Sequence, residues 1–235
     1  MPDEAQGVFA DRLDLAAQFA ALLATDGVVR GLIGPREAPR LWQRHLLNCA
    51  VVEEVIAAGA SVCDIGSGAG LPGVVLAIAR PDVTVTLVEP LLRRTTFLDE
   101  VVATLGLDNV RVRRARAEAL HGEARFDVVT SRAVAPLPRL LAWSLPLVSP
   151  RGEMIALKGS NVTAEVAEAS ELLRARGCAP ARIVELGAGR IDEPTWAVRI
   201  AWRDPSSVSL SDARRPARAK SADARRRPRG PSHGR

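Results

Sequence analysis

Cysteine, lysine and histidine are all scarce in this chain of 235 residues, and each scarcity closes off a chemistry. The three cysteines, Cys49, Cys63 and Cys178, are scattered, with neither Cys-x-x-Cys nor His-x-x-x-His spacing nearby. A zinc site and a disulfide framework are therefore not expected, and reduced thiols in a cytoplasmic protein are. No metal cluster stands out. Long hydrophobic runs are missing too: charges interrupt every apolar stretch before it reaches bilayer length, so no membrane span is expected. The opening residues Met1-Pro2-Asp3-Glu4 are acidic and do not lead into an apolar run, so no signal peptide is expected. Gly-Lys-Ser/Thr does not occur, which excludes a P-loop, and no nucleophile elbow or internal repeat is present.

The net charge is +5. From Asp204 to Arg235 nine basic residues face Asp204, Asp212 and Asp223, a balance of +6 that leaves about −1 for the first 203 residues. The tail's Arg, Pro, Ser and Ala cannot build a core, so residues 204–235 are expected to be a disordered Arg-rich tail. Arg214-Arg215 and Arg225-Arg226-Arg227 are suited to RNA phosphates, or are simply solvated.

A hydrophobic fraction of 47% supports a sizeable core. Leu15, Phe19 and Leu22 form a helical stripe, and Trp42, Leu46, Cys49 and Ile56 share the face of a second helix. From residue 61 short β-branched runs alternate with helical patterns. Strands are expected at 61–65, 83–88, 109–113, 126–130, 152–158, 181–186 and 196–202. Helices are expected at 72–79, 91–105, 116–121, 137–145 and 162–175. Such alternation predicts an α/β protein with a mostly parallel sheet covered on both faces. The last two strands lack an intervening helix and form an antiparallel pair. Seven strands ending this way match the class I, Rossmann-like methyltransferase architecture. The predicted division is a helical N-terminal extension over 1–58, a catalytic domain over 59–203 and the tail.

The most informative stretch runs from Ser61 to Gly73, Ser-Val-Cys-Asp-Ile-Gly-Ser-Gly-Ala-Gly-Leu-Pro-Gly: strand, glycine-rich turn, helix start. Glu89 closes the next apolar run. Glycines here let the backbone approach a ligand closely. Two ligands compete. Gly68-x-Gly70-x-x-Gly73 satisfies the dinucleotide pattern, which implies a NAD-dependent oxidoreductase. Asp64, two residues before Gly66, suits a pyrophosphate at a helix N-terminus poorly. It suits S-adenosylmethionine, with an ammonium, a sulfonium and no phosphate. Glu89 would hold ribose hydroxyls in either case. The donor-binding candidates are accordingly Asp64, Gly66, Ser67, Gly68, Gly70, Leu71 and Glu89.

In such a sheet the ligand lies beyond the carboxyl ends of the strands. Glu118 follows the third strand, placed to hold an adenine amino group or to cap a surface helix. Arg132 ends the fourth strand, where it would bind a methionine carboxylate, a substrate phosphate or a neighbouring surface acid. His45 lies off the Trp42–Leu46–Cys49 stripe, and Lys158 closes the fifth strand. Trp143, Trp196 and Trp202 sit in apolar runs and are expected in the core.

Together these segments resemble the RsmG/GidB family of small-subunit ribosomal RNA guanine-N7 methyltransferases. The matching stretches are Leu41-Trp42-Gln43-Arg44-His45-Leu46-Leu47, Asp64 to Gly73, Ser131-Arg132-Ala133-Val134-Ala135 and Ala156-Leu157-Lys158-Gly159, in the family's order. Where many family members carry Asp-Ser, this chain has Asn48-Cys49. The resemblance implies donor contacts at Gly66, Leu71, Ala117, Glu118 and Arg132. It also implies transfer of the S-adenosylmethionine methyl group to a guanine N7 of 16S ribosomal RNA, free or in the small subunit, without a metal. Guanine N7 has a free lone pair and no proton to remove, so positioning is needed more than a general base. Arg44, His45, Arg132 and Lys158 are the candidates for holding RNA. A non-catalytic RNA-binding protein that relies on its basic tail is a further reading.

Overall fold

The computed structural model describes residues 1–208; the expectation of a disordered tail falls almost wholly outside them. Seven strands form one sheet in the order β3-β2-β1-β4-β5-β7-β6. They are β1 (Ser61–Ile65), β2 (Thr84–Val88), β3 (Val110–Arg113), β4 (Phe126–Arg132), β5 (Val148–Lys158), β6 (Arg182–Leu186) and β7 (Thr195–Ala201). The first five pair in parallel, and β7 pairs antiparallel with both β5 and β6. The expected fold class is therefore the observed one. Two strands are longer than their apolar runs. The ladder between β4 and β5 carries Ser131 and Arg132 opposite Ala156 and Leu157, so β4 continues past residue 130. Phe126 pairs with Val148 across an irregularity before Val128, which starts β5 earlier than 152.

The helices are α1 (Glu4–Phe9), α2 (Leu13–Leu22), α3 (Asn48–Ala50), α4 (Gly73–Ala79), α5 (Leu92–Leu105), α6 (Leu137–Ser144) and α7 (Val162–Ala175). The stretch expected as one helix around 42–56 is instead a wide π turn over Trp42–Leu47, then α3, then a 3-10 turn over Val51–Val55. Its apolar face forms nonetheless, with Leu46, Cys49 and Ile56 buried.

Strand alternation sorts the side chains into two core layers. Val62, Val85, Leu87, Val128 and Ile155 face α4, α5 and the N-terminal helices, whose Phe19, Leu46 and Val51 are fully buried there. Cys63, Ile65, Val129, Met154, Ala156 and Val198 face α6 and α7. Arg190, between β6 and β7, donates to Glu53 and Glu54 at 2.9 Å and ties the far end of the sheet to the extension. Beyond β1 the chain adds β2 and then β3 on one side, and β4 and β5 on the other. This reversal opens a crevice at the carboxyl ends of β1 and β4, where α/β sheets bind ligands.

Of the three tryptophans expected in the core, Trp143 and Trp202 pack half-buried against the α6–α7 layer and Trp196 does not. Trp196 is 38% exposed on β7, directly opposite Lys158, because β7 is covered only in part. Trp143 is half-buried and lines the crevice.

Candidate functional site

The turn after β1 owes its shape to its glycines. Gly70 has φ +92°, and a Cβ there would sit 2.6 Å from Val74. At Gly73 a Cβ would come within 2.7 Å of the Asp64 carboxylate. That closeness is used: Asp64 Oδ2 accepts the Gly73 N–H at 3.0 Å, pinning the first turn of α4 to the end of β1.

Asp64 does not face the ligand space. Its carboxylate is fully buried beneath the turn and is absent from the walls of the crevice, because strand alternation turns it towards the α4 layer while Cys63 and Ile65 face the other way. Burial pushes its pKa up to about 7; the Gly73 N–H and the Arg132 charge oppose this, and Glu89 adds to it. Asp64, a donor-binding candidate from the sequence, thus lies under the loop and not on the cavity wall. The α4 amide that a pyrophosphate would need already has a carboxylate on it.

Above the turn lies a cavity of about 730 Å³, within the range of small-molecule sites. Gly66, Ser67, Gly68, Leu71, Glu89, Ala117, Glu118 and Arg132 all line it, whereas Gly70 stays behind the wall. Glu89 is 1% exposed and accepts N–H groups from Gly68 at 3.1 Å and Leu91 at 3.0 Å, with Arg94 at 3.3 Å. One carboxylate therefore joins the loops after β1 and β2, with lone pairs left over. Ser67 Oγ donates to the Asp64 carbonyl at 2.8 Å. The sequence reading missed Arg94, Arg116, Arg139 and Trp143, which line the same space. Arg139 lies over the Trp143 ring at 5.2 Å, a contact their i, i+4 spacing on α6 would have signalled.

A second cavity, of about 700 Å³, adjoins the first. Arg44, Asn48, Ser131, Lys158, Glu165 and Thr195 are among its lining residues, and Arg132, Ala133 and Val134 line both cavities. Lys158 Nζ lies 2.6 Å from Glu165 at the start of α7. His45 lines neither cavity, but its Nδ1 is 2.8 Å from Arg132 Nη1 and its Nε2 is 3.0 Å from Glu37 Oε2. Glu37 also accepts from Arg44 at 3.2 Å. No sequence signal singles out Glu37, which reaches the site from a turn eight residues before His45. Arg132 makes no ion pair with a surface acid among the described residues. No group of His, Cys, Asp or Glu among them is arranged to hold a metal, and no helix among them is long and apolar enough to cross a membrane.

The two cavities thus adjoin, with Arg132, Ala133 and Val134 in their common wall. Wild-type Trm5b from Pyrococcus abyssi has a similar fold, with a TM-score of 0.50 at 16% identity over 72% of this chain and 49% of that one. Among curated proteins, the ribosomal RNA small subunit methyltransferase G of a Nocardioides species is 65% identical over 210 residues, covering 89% of this chain and 84% of its own. The protein of that name from Thermobifida fusca is 57% identical, covering 84% of each. The one from Streptomyces avermitilis is 50% identical over 96% of this chain and 95% of its own. Residues 12–192 match the family described as GidB, rRNA small subunit methyltransferase G. The chain belongs to the rRNA small subunit methyltransferase G (GidB) family.

Proposed function

We propose that this protein transfers the methyl group of S-adenosylmethionine to the N7 of a guanine in 16S ribosomal RNA. The observation that carries the reading is the pair of adjoining cavities divided by Arg132 in a chain of this family. The first takes the donor. Its walls fit that molecule: the Gly66–Gly68 backbone for the amino-acid end, Glu89 for ribose hydroxyls, and Ala117 and Glu118 for the adenine edge. When bound, the donor supplies an electrophilic sulfonium methyl. The second cavity takes the target nucleotide, with Arg44 and Lys158 at its phosphate and Arg132 at the boundary.

The residues present suit a nucleophile that needs no deprotonation. Guanine N7 attacks with its own lone pair, so the protein's task is to hold base and donor in line and keep water out, which is worth several kcal/mol of barrier. No side chain has to take a proton from the base. An oxidoreductase or a non-catalytic RNA-binding protein finds no support in the family or the relatives. The division at residues 58 and 203 belongs to this reading. So does a cytoplasmic location, which the three free, buried cysteines favour.

The test is to incubate the protein with S-adenosylmethionine carrying a labelled methyl group and small ribosomal subunits from cells lacking this modification. Label in 16S RNA is expected. Tight binding of S-adenosylhomocysteine with no transfer to RNA would count against the substrate, and binding of NADH against the donor.

A further inference from the structure

Arg132 is held by an imidazole, and the chemistry of that contact fixes the state of the ring. A guanidinium has only N–H donors, so His45 Nδ1, 2.8 Å from Arg132 Nη1, must present its lone pair. A carboxylate only accepts, so Nε2, 3.0 Å from Glu37, must carry the proton. Only the neutral ring protonated on Nε2 satisfies both partners. Burial keeps the His45 pKa below its usual value, the Arg132 charge lowers it further, and Glu37 opposes both. Arg44 also faces the ring, and Arg40 acts on Glu37. Cys49 on α3 and Asp64 on β1 also lie within electrostatic reach of Arg132.

A carboxylate partner would orient Arg132 and largely neutralise it. An imidazole orients it and leaves the charge whole. His45 uses one of the five N–H donors, and the Nε–H is buried with no hydrogen-bond partner among the described residues. Arg132 lies in the wall common to both cavities.

We propose that His45, itself oriented by Glu37, is a positioning residue that aims an un-neutralised Arg132 at an anionic oxygen of the substrates where the two cavities meet. This rests on the methyltransferase reading above. The oxygen belongs either to the donor's carboxylate or to the target nucleotide's phosphate. Protonating His45 would turn an N–H towards the guanidinium and set two positive charges together, so the aim is lost in acid.

The experiment compares wild type, H45A, H45N and E37Q in methylation of small-subunit RNA across pH. Asn offers a carbonyl oxygen near the Nδ1 position and does not titrate. H45A is expected to lose about 100-fold in kcat/KM, the cost of a misplaced contact. H45N is expected to recover most of that loss and to lack the wild-type decline at acidic pH, and E37Q to fall between. A KM rise confined to the donor assigns the oxygen to its carboxylate; one confined to RNA assigns it to the phosphate. An H45A enzyme with wild-type kinetics, an H45N enzyme as poor as H45A, or one that keeps the acid decline overturns the proposal. Nitrogen-15 NMR of the histidine rings reads the same claim without turnover: a bare Nδ1 and a protonated Nε2 at His45 are expected, with that preference lost in R132A. A proton on Nδ1 overturns it. If wild type transfers no methyl to RNA, the functional reading fails while the ring spectrum still decides the positioning.

Discussion

Asp64 and Gly73, nine residues apart, are joined by a 3.0 Å hydrogen bond from the glycine amide to the buried carboxylate, and this bond closes the turn beneath the first cavity. The same burial raises the Asp64 pKa to about 7 from an ordinary 3.8. A carboxyl whose folded pKa lies above its unfolded one stabilises the fold most below the unfolded value and loses that contribution as pH rises through the folded one. The Asp64 contribution is therefore expected to fall between about pH 4 and 7, by on the order of 4 kcal/mol at most, and to level off above; His45, whose pKa is lowered, contributes in the opposite sense. D64N keeps an acceptor for the Gly73 N–H and cannot ionise. Urea denaturation across that range should show D64N gaining on wild type as pH rises from about 4 to 7; a pH-independent difference between the two would contradict the assignment.

Glu89 is the other structural acid of the site, and a neutral replacement is expected to be costly. In E89Q one of the N–H groups of Gly68 and Leu91 meets an amide NH2 in place of an oxygen, at a cost of about 1–3 kcal/mol for a buried unsatisfied donor. Affinity for S-adenosylhomocysteine measured by calorimetry should fall by about tenfold or more, while RNA affinity stays near wild type. Equal losses on both ligands would remove Glu89 from the donor side.

Arg44 and Lys158 are assigned to the other side. Replacing either by Ala should weaken RNA binding and lower the slope of log affinity against log salt by roughly 0.7 to 1 per lost phosphate contact. S-adenosylhomocysteine affinity should not change. Filter binding at several salt concentrations separates this from a structural effect, because a merely unfolded fraction leaves the slope intact. Each must leave a carboxylate first, Glu37 at 3.2 Å for Arg44 and Glu165 at 2.6 Å for Lys158; the closer and more buried Lys158 pair makes its effect the smaller of the two.

Much of this could be read from the chain because the relevant signals are local. β1 was legible to the residue because Val62, Cys63 and Ile65 are bounded by a polar start and a glycine turn. The end of β4 was not, since Ser131 and Arg132 owe their strand conformation to pairing with β5. Asp64 announced the motif but not its orientation, which depends on which sheet face carries α4. Trp196 was legible only as core because an apolar run marks a buried strand without saying whether its end borders solvent. Glu37 and its bond to His45 were invisible, because a turn acid has no pattern, and so was the contact of His45 to Arg132, which spans 87 residues.

The central claim is the identity of the accepting atom. Labelled 16S RNA from the transfer reaction, treated with borohydride and aniline, is cleaved only where a guanine carries an N7 methyl group. Cleavage at a single guanine, absent without enzyme and strongly reduced with R132A, is the predicted result. Label incorporated into the RNA with no such cleavage would contradict it.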